Sequence, residues 1–228
     1  MTDRKRLLAV SAALIACLLH LLLSLAPFPS FLSVPIAALL PFALSRLLFG
    51  RRPQATKNYK GILLFPYFLP VLIAAAMLLS MLASGDGALP HIHPALLFLY
   101  YVILPAVFEE VFYRQTLLPL LLPISKAAAV LVSSLFFAAL HAPSAMPYAF
   151  VCGVLLAVAY LESGSVLLPI CLHFTNNALS FLLYCVDGMQ WLYLPALVLC
   201  LLGSIPAVYF YLKHKGIARP KGEKREKL

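Results

Sequence analysis

The sequence predicts an all-α fold, a polytopic bundle of about eight transmembrane helices. Three observations carry that prediction. Hydrophobic residues make up 63% of the 228-residue chain and charged residues 11%, against about 45–50% and about 25% in soluble domains. Too little polar surface is left to cover a soluble globule. The apolar residues also fall in continuous runs near the roughly 20 residues that a helix needs to cross a bilayer, not in the alternating segments of about ten that mark barrel strands. Finally, basic residues collect at the ends of those runs and in one tail.

The runs lie at 7–25, 31–49, 62–82, 95–122, 127–141, 147–161, 166–186 and 191–212. The first follows a basic start, "MTDRKR", as a signal peptide would. Its apolar stretch exceeds the roughly 7–15 residues of a signal, and Pro27 directly follows the plausible cleavage residue, so an uncleaved first transmembrane helix is expected. The second and third flank a loop with Arg51, Arg52, Lys57 and Lys60. The fourth carries "FEEVFYR" and the seventh carries "HFTNN"; between them the fifth and sixth are short. No internal repeat stands out, and 1–212 reads as one transmembrane domain followed by a basic tail, 213–228.

With the N-terminus in the cytoplasm and eight spans alternating, all 17 lysines and arginines fall on one side. The external connections "ASGDGALPHIH", "APSAM" and "DGMQ" contain none. This is the positive-inside pattern, and it puts both termini in the cytoplasm. The net charge of +9 is thus explained by topology and implies no nucleic-acid partner. The tail is read as a topology determinant rather than a binding site for anionic headgroups. Cys17, Cys152, Cys171, Cys185 and Cys200 all lie in apolar runs without CxxC spacing and read as small buried hydrophobes.

Ionisable residues inside the apolar interior are costly unless paired, and they usually face a bundle interior. Here they are His20, Glu109, Glu110, Arg114, His141 and His173, with Asn176 and Asn177 close to the last. His20 has no polar companion in sequence and is read as a helix–helix hydrogen bond. Glu110 and Arg114 are four apart, on one helical face, and are expected to form an ion pair. Glu109 points about 100° away from Glu110 on an α-helix and meets other neighbours. Two adjacent carboxylates in different surroundings have different proton affinities, a basis for dividing roles.

Glu109 and His141 are equally far from the "PIS" turn at residue 125. In an antiparallel hairpin bent there, each lies roughly 20–24 Å from the turn, at one depth. His173 and Asn177 share a face of the seventh helix, at a level shallower by about 5–10 Å. The set has complementary chemistry. Glu109 can take a proton from water as general base while His141 holds that water. His173 and the Asn177 amide can donate to the oxyanion formed when water attacks an amide carbonyl. Alternatively, Glu109, His141 and His173 can bind Zn²⁺, although no HExxH is present.

"EEVFYR" fits EExxxR, "FAALH" fits FxxxH and "HFTNN" fits HxxxN. In this order on successive spans, they resemble the CAAX protease and bacteriocin-processing family of intramembrane endopeptidases, over a core of about 95–186. The resemblance implies Glu109, His141, His173 and Asn177 as catalytic, with Glu110 and Arg114 as supporting motif residues. It implies a membrane-embedded or lipid-anchored peptide as substrate and the bilayer as partner. The family has been described both as metal-dependent and as glutamate-dependent. Asn is a poor zinc ligand but a good oxyanion donor, which favours the metal-free version. Members include processors of prenylated CAAX proteins and proteins linked to bacteriocin self-immunity or abortive infection; a compact chain with a short basic tail looks prokaryotic, which makes prenyl-protein processing the less expected role.

Two other classes are consistent with buried Glu and His. One is a proton- or solute-conducting transporter or channel, which matched broken helices would favour and which are not found. The other is a silent scaffold held by Glu–Arg and His–Asn pairs. His91 and His93 in "HIH" make a weak metal pair, and Tyr100, Tyr101, Trp191 and Tyr193 read as interface anchors.

Overall fold

The computed structural model describes residues 3–25, 30–49, 64–82, 93–185 and 193–214, which form helices and turns with no strand among them. The helices are α1 (Asp3–Ser24), α2 (Ser30–Phe49), α3 (Phe65–Leu82), α4 (Pro94–Leu121), α5 (Lys126–Ala139), α6 (Met146–Ser163), α7 (Leu167–Cys185) and α8 (Tyr193–His214). Each expected run coincides with one of them. By length and composition α1, α4 and α6 are long and apolar enough to cross a membrane; the apolar windows described in the others are shorter. Most of the loop after α2, together with His91, Trp191 and the basic tail, lies outside the described residues, as do the side chains of Tyr193 and Cys185.

The outer surface explains the composition. Leu14, Ile15 and Leu18 on α1, Leu135 on α5, and Leu199 and Ile205 on α8 are all exposed. In water these would form an adhesive patch; in a bilayer they meet a solvent as apolar as themselves. This is an integral membrane protein. Several serine and threonine hydroxyls in the helices are satisfied locally, as with Ser134 Oγ donating to the Val130 carbonyl at 2.7 Å and Thr175 Oγ1 to the Cys171 carbonyl at 2.8 Å.

Helix ends follow local chemistry. Ser125 caps α5 by accepting the Ala128 N–H at 3.0 Å. Gly164 ends α6 in the left-handed region, φ 65°, with its N–H on the Tyr160 carbonyl at 2.9 Å. His93 accepts the Ala95 N–H at 3.2 Å and so caps α4.

In the interior α5 packs against α6, α3 against α8, and α1 against α2. The α5–α6 contact is close because Gly153 offers no side chain; a Cβ there would stand 3.0 Å from both Cα and Cβ of Ser134. The fourth span departs from the α-helix its composition suggests. Leu99–Ile103, Pro105–Glu109 and Val111–Leu117 are π-helical, with Leu104 N–H reaching Leu99 O and Leu118 N–H reaching Tyr113 O. Pro105 lacks the N–H that an α-helix would direct to the Tyr101 carbonyl, and its ring crowds that carbonyl. Widening the turn relieves both problems, and π segments concentrate at functional sites. This wide helix runs against α2 on one side and α7 on the other.

Candidate active site

The two adjacent glutamates of the fourth span meet different surroundings. Glu110 turns inward and is fully buried. Its Oε2 accepts from Arg114 Nε at 2.8 Å, the expected i,i+4 pair. Its Oε1 lies 3.0 Å from His173 Nδ1 on α7, a contact that spacing along the chain does not reveal. One carboxylate therefore joins the guanidinium to the imidazole. The Arg114 guanidinium also lies over the rings of Tyr113 and Phe137, at 5.8 and 5.7 Å, within cation–π range. Its Nη1 and Nη2 atoms are buried and make no hydrogen bond.

Glu109 instead faces a cavity of about 700 Å³, and His141, His173 and Asn177 line that same cavity. All four residues expected as catalytic thus border one volume, within the size range of small-molecule sites. The difference in depth estimated for His173 and Asn177 does not keep them from it. His173, His141, Glu110 and Arg114 are within electrostatic reach of the Glu109 carboxylate. Glu109 Oε2 is shielded from solvent and has no hydrogen-bond partner. A buried carboxylate oxygen left unpaired is costly in a purely structural role.

His141 sits just beyond α5, whose helix stops at Ala139, and not on the span expected at 127–141. The chain turns there, with the His141 N–H on the Ala138 carbonyl at 2.9 Å. Its Nδ1 is 2.8 Å from the Phe137 carbonyl. A carbonyl only accepts, so Nδ1 carries the proton and Nε2 of the neutral ring is an acceptor. For His173 the Glu110 carboxylate likewise takes the Nδ1–H and leaves Nε2 free. Asn176 Nδ2 donates to Asn177 Oδ1 at 3.3 Å, so the Asn177 amide N–H₂ is the group still unassigned.

His20 and Tyr101 are among the cavity residues that lay outside the sequence-based site. His20 lines it from α1 while making the structural bond expected of it, Nδ1 to the Ala37 carbonyl at 2.8 Å, with its ring stacked 3.8 Å from Phe112. Tyr101, expected as an interface anchor, also lines it. No spacing rule links α1 to residues so distant in sequence; packing alone brings them together. As to zinc, no three His, Cys, Asp or Glu side chains among the described residues form a group that could hold a metal ion.

The family model described as Rce1-like, a type II CAAX prenyl endopeptidase, matches residues 91–179. Neither a curated protein nor a solved structure matches the chain. The matched stretch holds all three motifs and the four residues that meet at the cavity, whereas the α1 and α2 residues of its wall lie outside it. By that match the segment building the site, residues 91–179, is similar to the Rce1-like type II CAAX prenyl endopeptidases.

Proposed function

We propose that this protein is an intramembrane endopeptidase that hydrolyses a peptide bond of a membrane-embedded or lipid-anchored substrate with a glutamate-activated water. The observation that carries the reading is that Glu109, His141, His173 and Asn177 border one cavity. A water between Glu109 and His141 gives one hydrogen to the carboxylate and the other to His141 Nε2, which turns an oxygen lone pair to the substrate carbonyl. Glu109 takes the proton as the C–O bond forms. The oxyanion is met by Asn177 Nδ2–H and, when His173 carries its second proton, by its Nε2–H. Glu110 then balances the charge on His173, as an orienting carboxylate does in a triad. Collapse breaks the C–N bond, and the proton held by Glu109 passes to the leaving amine.

The cavity wall supports a substrate with an apolar portion, since Leu21, Val34, Phe108 and Phe181 stand beside the polar set. The domain reading, a catalytic core about 95–186 with both termini cytoplasmic, is part of the proposal; labelling of single cysteines placed at Asp3 and Lys224 from each side of sealed vesicles tests the orientation.

The deciding experiment follows cleavage of quenched peptides in nanodiscs, with and without a prenylated or membrane-spanning portion. Glu109→Gln is expected to abolish cleavage while the fold is kept, and treatment with a chelator is expected to leave wild-type cleavage intact. Cleavage by Glu109→Gln at the wild-type rate overturns the assignment. Loss on chelation with recovery on zinc replaces it with a metalloenzyme.

A further inference from the structure

Behind the two histidines is a second, smaller cavity of about 30 Å³. His141, His173 and Asn177 line both cavities, while Tyr148, Cys152 and Asn176 line the smaller one. A water needs about 10–15 Å³ and two to four polar partners, so this volume suits one or two water molecules. The polar partners are present. Tyr148, in the first turn of α6, has its hydroxyl shielded from solvent and without a hydrogen bond, although the Cys152 thiol and the Asn176 amide stand beside it. Both neighbours stand at the edge of hydrogen-bonding reach, and neither makes a short, well-aligned bond to the hydroxyl. A bridging water satisfies such a group nearly as well as a direct bond.

The arrangement of the two asparagines gives this site a consequence. Asn176 is buried and donates its Nδ2–H to Asn177 Oδ1. Its own Oδ1 is left to accept, and the Asn177 N–H₂ is left for the larger cavity. An acceptor held at the second Nδ2–H of Asn176, on the side of Tyr148, would prevent the amide from rotating, and the second amide would follow the first.

We propose that the smaller cavity is a structural water site, and that Tyr148, through the water it holds against the Asn176 carboxamide, positions the Asn177 amide with its N–H₂ toward the substrate. The proposal rests on the oxyanion role given to Asn177 above and adds Tyr148 as a positioning residue. It also explains why the chain places two asparagines in succession at this point.

Two variants and one map test it. Tyr148→Phe removes the hydroxyl alone, and Cys152→Val fills the cavity while keeping the hydroxyl. A high-resolution map of the wild type in nanodiscs is expected to show water within about 3.2 Å of Tyr148 Oη, absent in Tyr148→Phe. Each variant is expected to lower kcat roughly two- to tenfold, the worth of one neutral hydrogen bond, with KM unchanged. The double variant should be no worse than either single, because both remove one element. A wild-type map without water at that position overturns the site. Water present with kcat unchanged in both variants overturns the positioning role. The map is read without any assay of cleavage, so failure of the water site is distinct from failure of the hydrolase reading, which shows in Glu109→Gln.

Discussion

Neutralising Glu110 separates its two jobs, bracing the bundle and holding His173. Glu110→Gln keeps the shape and removes the charge. Arg114 is then a fully buried cation whose hydrogen bond to a carboxylate at 2.8 Å is gone and whose Nη atoms have no bond to fall back on. Breaking a buried pair by removing one partner costs about 3–5 kcal/mol, whereas replacing both partners with groups of similar size is often near neutral. At about 2–4 °C per kcal/mol for a chain of this size, Glu110→Gln should lower Tm by roughly 6–20 °C. Adding Arg114→Met should restore most of that loss. Activity should behave differently. The contact from Glu110 Oε1 to His173 Nδ1 at 3.0 Å involves an ionised acceptor, worth about 1.5–3 kcal/mol, or roughly 10- to 150-fold in rate. Gln replaces it with a neutral and weaker acceptor, so the double variant should be stable and still slow. The assay is a thermal melt in detergent beside peptide cleavage well below every Tm. Cleavage that recovers in step with stability would show Glu110 to be a brace and nothing more.

Two further outcomes concern the scaffold. Gly153→Ala puts a methyl 3.0 Å from Ser134 Cα and Cβ, where the backbone of α5 must give way; a loss of about 1–3 kcal/mol is expected in a melt, and unchanged Tm would mean that α5 and α6 are not packed this closely. Ser125→Ala removes the acceptor for the Ala128 N–H and should cost about 1 kcal/mol, or about 2–4 °C, with kcat unchanged.

Much of the fold and of the site is legible in the residues alone. Glu110–Arg114 follows from a spacing of four on one helix, and the start of α5 follows from the cap at Ser125. The three motifs point to the four residues that line one cavity. His173 is where that reading fell short. Spacing groups it with Glu109, but it also bonds Glu110, from 63 residues away. The hairpin estimate uses an α-helical rise, and the fourth span is π-helical up to Glu109 and again from Val111. Local periodicity cannot reveal which side chain of a neighbouring pair rotates toward a distant helix.

The sequence by itself determined the class of molecule and named four residues of its candidate site. Composition and run length depend only on the solvent that the chain must match, and motif chemistry depends only on residue type and local spacing. The tertiary structure decided that Glu110, already paired with Arg114, also holds His173. It decided that His20 and Tyr101 share the wall, and that a second small cavity lies behind the histidines. Those choices are set by helix rotation and by the close approach of α5 and α6 at Gly153. They depend on every packed neighbour at once and leave no periodic trace along the chain.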